Sequence, residues 1–174
     1  MTNEKIKIVE YYTDNIFTID YIKNYLRIDN NFDDNFLINS IITANNFAEK
    51  MINRTICLKK YELSFYTDKN ITNLKNIDLK IPFPVIEINE VLANNNIISG
   101  ENYEINNYKI LFKKDITGEI KITFKAGYYS DEIQEDIKQS MLFHIASIYQ
   151  NKSGNCTIPQ VSKEIYSLYR DIRI

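Results

Sequence analysis

The sequence predicts an α+β fold, in which two helices, an antiparallel β meander and two further helices follow one another along the chain. Near both ends, apolar residues recur at three- and four-residue spacings, which is the period of an amphipathic helix. Between residues 55 and 126, short runs rich in β-branched and aromatic residues take over, separated by Asn-rich or Gly-containing breaks, as is typical of strands and turns.

The first helix belongs to an N-terminal helical region, residues 17–54. Thr18 is its candidate N-cap, because a threonine hydroxyl there can accept a bond from a free backbone N–H, and the helix is predicted to end near Asp29. Its apolar positions are Ile19, Ile22 and Leu26, with Tyr25 beside them.

The second helix is predicted over about residues 34–53. Asp33 is its candidate N-cap, and Asp34 lies in the first turn, where the helix dipole favours negative charge. One stripe is apolar, and it consists of Leu37, Ile41, Ala44, Ala48 and Met51 or Ile52, flanked by Phe36 and Phe47. Because the opposite face is largely polar, we expect a helix that packs on one side only.

The β region, residues 55–126, is predicted to be an antiparallel meander. Its strand-like runs are CLKKYELSF, LKIPFPVIEINEVL, YEI, YKILF and EIKITFKA. Pro82 and Pro84 lack an N–H, so their segment should start a strand or lie at an edge. The candidate hairpin turns are residues 94–96 and Thr117 with Gly118.

The central helix is predicted over residues 130–151, with Ser130 or Asp131 as the N-cap and acidic residues in its first turns. One narrow face carries Ile133, Ile137, Met141, His144 and Ile148, whereas Leu142, Phe143, Ala146 and Tyr149 lie on other faces. A helix that is apolar on several sides is buried on several sides, either centrally in the fold or between subunits.

The last helix is predicted over residues 158–174. Its apolar stripe comprises Val161, Ile165, Leu168 or Tyr169, and Ile172. Two roles fit this pattern: the helix closes the core of its own chain, which the spacing alone favours, or it docks on another protein.

Composition excludes several classes of protein. The net charge of −2 at pH 7 gives no electrostatic footprint for holding nucleic-acid phosphates. No run approaches the roughly 20 apolar residues of a membrane span, and the first residues do not form a signal-peptide core. Cys57 and Cys156 lie far apart, so neither a zinc site nor a disulfide framework is predicted. We expect a soluble chain made in the cytoplasm, without membrane contact and with reduced thiols.

The candidates for catalysis have structural explanations. His144 could act as a general base, but a lone histidine on an apolar helix face is more often a core or interface residue. Asp33 with Asp34, and Asp131 with Glu132, resemble metal ligands, although helix-start electrostatics accounts for both pairs. The 4 glycines form neither a GxGxxG nor a Walker pattern. We therefore expect no enzyme, no catalytic residues, no metal and no cofactor.

Five segments occur in an order that is more specific than any one of them: FTIDYIKNYLRID, DDNFLINSIITANNFAEKMINRTI, IPFPVIEINEV, GEIKITFKAGYYSDEIQEDIKQSMLFHIASIYQNK and IPQVSKEIYSLYRDIR. Together they cover about residues 17–173. In this order the chain resembles the head-to-tail connector, or adaptor, proteins of long-tailed bacteriophages and of phage-derived gene transfer agents.

The resemblance implies that residues 1–174 form a single connector domain, a bundle of about four helices with the β meander inserted between the second and third. It implies a structural virion protein at the head–tail junction, which assembles as a ring, expected to be a dodecamer, beneath the portal protein. Such a ring extends the DNA channel without binding DNA specifically, and it meets a stopper or tail-completion protein.

The family's use of its C-terminus identifies candidate portal-binding residues, namely Ile165, Leu168, Tyr169, Arg170, Ile172, Arg173 and Ile174. The apolar flanks of the central helix identify candidate subunit-interface residues, namely Leu142, Phe143 and Tyr149. Two alternatives from other classes remain open: a small α+β ligand-binding or enzymatic domain, and a non-viral structural or interaction protein.

Overall fold

The computed structural model describes residues 4–12, 16–67, 84–106, 109–113, 116–152 and 157–171. It is a mixed α+β protein, as predicted. The chain divides into two compact units. The sheet unit comprises Met1–Thr13 and Leu58–Gly127, and the helical unit comprises Asp14–Cys57 and Tyr128–Ile174.

The sheet unit contains seven strands within the described residues. They are β1 Lys5–Tyr11, β2 Lys59–Thr67, β3 Val85–Ala93, β4 Asn96–Ile97, β5 Tyr103–Asn106, β6 Lys109–Phe112 and β7 Gly118–Ala126. The five strands predicted from the sequence are confirmed as β2, β3, β5, β6 and β7. The first strand was not predicted, and it precedes both predicted N-terminal helices in the chain.

Strand order differs from that of a simple meander. The main sheet has the order β1-β2-β7-β3-β4, and β5 pairs with β6 in a separate two-stranded sheet. All these pairings are antiparallel, but β7, the last strand in the chain, lies between β2 and β3. Alternation specifies which side chains of a strand are buried, not which strands are its neighbours, so the meander prediction was wrong about the order.

The core of the sheet unit lies on one face of β2 and β7. Residues Tyr61, Leu63 and Phe65 of β2 are buried beside Ile120, Ile122 and Phe124 of β7. Tyr61 and Phe124 face each other in the register and stack with their ring centroids 5.5 Å apart. Ile110 and Phe112 of β6 and Ile116 complete this core.

Turns of the sheet unit use Asn and Gly where the backbone needs a positive φ. Asn94 and Asn95 have φ values of 49° and 64° and link β3 to β4, which confirms the first predicted hairpin. The second predicted hairpin was wrong, because Gly118 begins β7 and β7 does not pair with β6. Gly118 has φ 99°, and the Asn94 side chain fills the space that a Cβ would need. Pro84 directly precedes β3, as predicted.

The helical unit begins with α1, Ile19–Leu26, and α2, Asp34–Ile52. The Thr18 hydroxyl accepts a hydrogen bond from the Tyr21 backbone N–H at 3.2 Å, which confirms the predicted cap. Arg27 and Asn53 adopt left-handed φ values of 58° just beyond the two helices and end them. Asp33 precedes α2 as predicted, but its side chain does not cap the helix.

The third and fourth helices are α3, Glu135–Gln150, and α4, Gln160–Leu168, and both are shorter than predicted. Neither Ser130 nor Asp131 caps α3. Glu132 instead closes a separate turn: its N–H donates to the Tyr129 carbonyl, and its carboxylate accepts from the Tyr129 N–H. A tightened last turn ends α4 ahead of the predicted C-terminal limit.

The core of the helical unit lies where α3 packs against α2 and α4. Five residues of α3 between 140 and 145 are buried, namely Ser140, Met141, Leu142, His144 and Ile145. The predicted burial of α3 on several sides is therefore met largely within one chain, by the two neighbouring helices.

Candidate functional site

The outer surface of α4 carries several of the predicted portal-binding residues. Leu168 is 81% exposed, Arg170 is exposed, and Ile165 is half-buried. Tyr169 is also half-buried, and its hydroxyl donates to Asp136 at 3.1 Å. Burial and that bond both raise the pKa of the Tyr169 hydroxyl. Ile172, Arg173 and Ile174 lie outside the described residues.

The inner surface of α4 is buried in the helical core. Tyr166 and Ser162 are both fully buried, and the Ser162 hydroxyl donates to the Ser140 carbonyl at 2.9 Å. Burial raises the pKa of Tyr166 far above its ordinary value. The two roles considered for this helix therefore correspond to its two faces, since one face closes the core and the other carries the exposed Leu168.

The backbone that follows α4 is attached to the end of α2. The Asp171 N–H donates to the Ile52 carbonyl at 2.8 Å, and the Asn53 side-chain amide donates to the Asp171 carbonyl at 3.1 Å. The first of these bonds satisfies a free carbonyl at the C-terminal end of α2. Asp171 is therefore held against the end of α2.

The three predicted subunit-interface residues differ in their exposure. Leu142 is only 3% exposed and belongs to the helical core, whereas Phe143 and Tyr149 are half-buried. Leu142 thus offers little surface to a neighbouring copy, although it lines an open groove between α1 and α3. The interface role of all three residues stays a prediction.

Tyr149 takes part in a polar cluster that the sequence did not reveal. Its hydroxyl donates to the Asp33 carboxylate at 2.8 Å, and the Lys152 ammonium lies 2.7 Å from the same carboxylate oxygen. The bonds from Lys152 and Tyr149 lower the pKa of Asp33, and Asp33 in turn raises the pKa of Lys152. Lys152 also lies over the Tyr149 ring, 4.1 Å from its centroid. The cluster connects the start of α2 with the end of α3.

His144, the one histidine of the chain, is a core residue. It is buried, and its ring meets the Phe47 ring edge-on at a centroid distance of 5.5 Å. Burial lowers the pKa of His144, because the apolar surroundings disfavour the imidazolium. This position on the apolar face of α3 is the structural alternative considered from the sequence.

The first predicted carboxylate pair, Asp33 and Asp34, binds cations of the chain itself. Asp33 pairs with Lys152, and Asp34 pairs with Lys23 at 3.1 Å. Within the described residues, no group of three or more His, Cys, Asp or Glu side chains is arranged to hold a metal ion. The Cys57 thiol donates to the Asn45 side-chain oxygen at 3.3 Å, and Cys156 lies outside the described residues.

Each unit has an open surface groove. The groove of the sheet unit, of about 470 Å³, lies by the β3–β4 turn, and its described lining residues carry no ionisable side chain. The groove of the helical unit, of about 340 Å³, lies between the start of α1 and the first half of α3.

In the part of the chain that is described, no helix has the length and apolar character required to cross a bilayer.

No family model and no curated protein sequence matches this chain. Similar folds do occur among solved structures, in components of gene transfer agent (GTA) particles. A chain from the neck of an empty GTA particle, determined with C6 symmetry, has a TM-score of 0.76 and 12% sequence identity, covering 98% of this chain and 97% of that one.

Two further structures give the same result. A chain from the neck of a native GTA particle, determined with C12 symmetry, has a TM-score of 0.74 and 13% identity, covering 98% of this chain and 97% of that one. A chain from the virion of a native GTA particle has a TM-score of 0.73 and 13% identity over 97% and 96% of the two chains. The chain therefore has the fold of a GTA neck component over nearly its whole length, as the sequence resemblance predicted.

Proposed function

We propose that this protein is a structural component of the head–tail junction of a phage-like particle, where it joins the portal protein to the tail. Copies form a ring that extends the DNA channel and offers a platform to a stopper or tail-completion protein. The observation that carries the proposal is the fold it shares with GTA neck chains, because the similarity extends over nearly the full length of both chains.

The ring is supported by the symmetry of those neck structures, which were determined with C6 and C12 symmetry. A dodecamer is compatible with both symmetries. Copies in a ring meet through heterologous contacts, in which two different surfaces of the same chain face each other.

Portal attachment is assigned to the outer face of α4 and the residues that follow it. Leu168 is the most exposed apolar residue of this helix, and Arg170 adds a positive charge beyond it. An apolar side chain exposed on one face of a helix can pack into an apolar groove of a partner protein.

The test is assembly of the purified protein, alone and mixed with the portal protein of the same particle. We expect rings in negative-stain images and a matching mass by light scattering. Leu168→Asp should reduce attachment to the portal at least tenfold without preventing ring formation, because it places a charge in the apolar contact.

Phe32→Asp is the matched control for this experiment. Phe32 is 95% exposed and lies in the loop before α2, whereas the residues that follow α4 are bonded to the far end of α2, so the substitution should change neither ring formation nor portal attachment. A protein that stays monomeric in the presence of the portal would contradict the proposed function.

A further inference from the structure

The middle of α2, between its charged ends, presents an uncharged outward surface. Residues 35–48 contain no Asp, Glu, Lys or Arg, although charged residues make up 25% of the chain. Ile38 and Ile42, one helical turn apart, are 45% and 52% exposed among Asn and Thr side chains. We call this pair the α2 ridge. A helix face that is solvated in the final assembly normally carries charges, whereas the centre of a protein–protein interface is depleted of them.

The groove between α1 and α3, which we call the α1–α3 groove, has a lining that is half apolar and half polar. Its apolar residues are Ile16, Phe17, Tyr21 and Leu142, of which Phe17 and Leu142 are almost fully buried, and the Phe17 and Tyr21 rings stack with centroids 5.6 Å apart. Its two charged residues, Glu135 and Lys138, pair with each other at 2.8 Å. The groove is therefore electrically neutral, open and lined by aromatic rings.

We propose that the α2 ridge of one copy seats in the α1–α3 groove of the next copy in the ring. This inference rests on the proposed function, and it identifies the two surfaces that a heterologous contact requires. An uncharged ridge and a groove whose charges neutralise each other can meet without leaving a charge desolvated and unpaired. A charged partner surface would lose hydration on the ridge and find no counter-ion among residues 35–48.

The chemistry of both surfaces identifies the occupant as a second copy of this chain. The ridge offers two branched aliphatic side chains flanked by uncharged amides and hydroxyls, and the groove offers the exposed Tyr21 ring beside the uncharged side chains of Thr18 and Gln139. Both surfaces belong to the helical unit. Leu142, predicted as an interface residue, then contacts the neighbour through the lining of the groove, although most of its side chain is already covered.

Photo-cross-linking between copies tests the contact directly. Ile42 is replaced by p-benzoylphenylalanine, this isotopically heavy protein is mixed with light protein that retains Ile42, and the mixture is irradiated under conditions in which rings form. We expect heavy–light cross-links that map by mass spectrometry to residues 16–21 or 135–142. In parallel, Ile38→Asp with Ile42→Asp should weaken ring formation at least tenfold.

Phe32→Asp is again the control, because it places a negative charge on an exposed apolar residue outside the ridge and the groove. Circular dichroism shows whether each variant keeps its helices. Rings whose cross-links from position 42 map elsewhere, or rings that tolerate the double substitution, would overturn this contact and leave the proposed function intact. If the unaltered protein forms no ring even with the portal, both proposals fail.

Discussion

At the scale of single residues, His144 shows how burial sets the behaviour of an ionisable group. The imidazole is enclosed by the helical core and meets the Phe47 ring edge-on. Within the described residues, its Nδ1 atom has no hydrogen-bond partner. The folded protein therefore favours the neutral ring, and burial lowers its pKa from 6.5.

The lowered pKa of His144 predicts a pH-dependent stability. His144 binds a proton at a higher pH in the unfolded chain than in the folded chain. The contribution of the buried, neutral His144 to stability is therefore complete above about pH 6.5 and decreases as the pH falls below it. The melting temperature should therefore decrease between pH 7.5 and pH 5.5. In His144→Leu the decrease should be smaller, as measured by thermal unfolding followed by circular dichroism.

Met141→Leu is the matched control, because it changes a fully buried residue of the same helix and retains the histidine. Its melting temperature should depend on pH as that of the unaltered protein does. Asp33 does not affect stability between pH 7.5 and pH 5.5. Its pKa is lowered, so its contribution to stability is lost only at a much lower pH. Equal pH dependence in His144→Leu and the unaltered protein would contradict the prediction.

Asp33 shows what residue-level patterns miss. An aspartate before an apolar helical stripe predicts an N-cap, and the position was correct. Its carboxylate instead accepts from Tyr149 and pairs with Lys152, which are more than a hundred residues away in the sequence. Local spacing cannot predict such partners, because they depend on how α2 and α3 pack.

At the scale of secondary-structure elements, α4 belongs to the fold as well as to the proposed portal contact. Removing residues 165–174 deletes Tyr166 from the core, and loss of a buried aromatic side chain costs about 3–5 kcal/mol. Domains of this size are stable by about 5–15 kcal/mol. We expect the helical unit to lose much of its cooperative unfolding, which urea titration followed by circular dichroism would detect.

Removal of residues 172–174 alone is the matched control for the truncation. It leaves α4 and the bonds of Asp171 to Ile52 and Asn53 in place, so the unfolding midpoint should stay near that of the full chain. If the longer truncation unfolded as cooperatively and at the same midpoint as the full chain, α4 would be an appendage rather than part of the core.

Some elements could be predicted because their signals are local. Thr18 and the apolar spacing behind it defined α1 closely, and the five predicted strands were found. The start of α3 was misplaced because Glu132, read as a first-turn residue, closes a separate turn with Tyr129. The buried face of α4 carries Ser162 and Tyr166. Apolar spacing therefore predicted the wrong face of this helix to be buried, and Val161 and Leu168 of the predicted stripe are exposed.

The surfaces used in the two proposals could be predicted only in part. The exposed α4 residues were identified through the family resemblance, but the α2 ridge was not, because Ile38 and Ile42 lie on a face predicted to be polar. An aliphatic residue on a helix is expected to be buried, and its exposure becomes visible only when the packing of that helix is known. The absence of charged residues over positions 35–48 was the sequence feature that could have indicated this surface.

At the scale of the whole molecule, the division into two units follows from pairing between distant segments. Strand β1 comes from the start of the chain and pairs with β2, so the sheet unit is not a simple insertion between helices. All seven residues of β1 are exposed, although Lys5, Ile6, Lys7 and Ile8 alternate between polar and apolar as strand residues do. Pairing across a long intervening segment is a property of the complete fold.

The charge of the whole molecule predicts how the ring treats DNA. The chain has a net charge of −2 at pH 7, and a protein holds DNA mainly by neutralising phosphates with Lys and Arg. We therefore expect assembled rings to show no binding of double-stranded DNA by fluorescence anisotropy, even at about 50 mM salt, where such binding is strong. Asp29→Lys with Asp131→Lys, both exposed positions, changes the net charge by +4, from −2 to +2, and should bind DNA more tightly at the same salt. Binding by the unaltered ring that weakens steeply with salt would contradict the prediction, since it would mean that assembly concentrates basic residues along the channel.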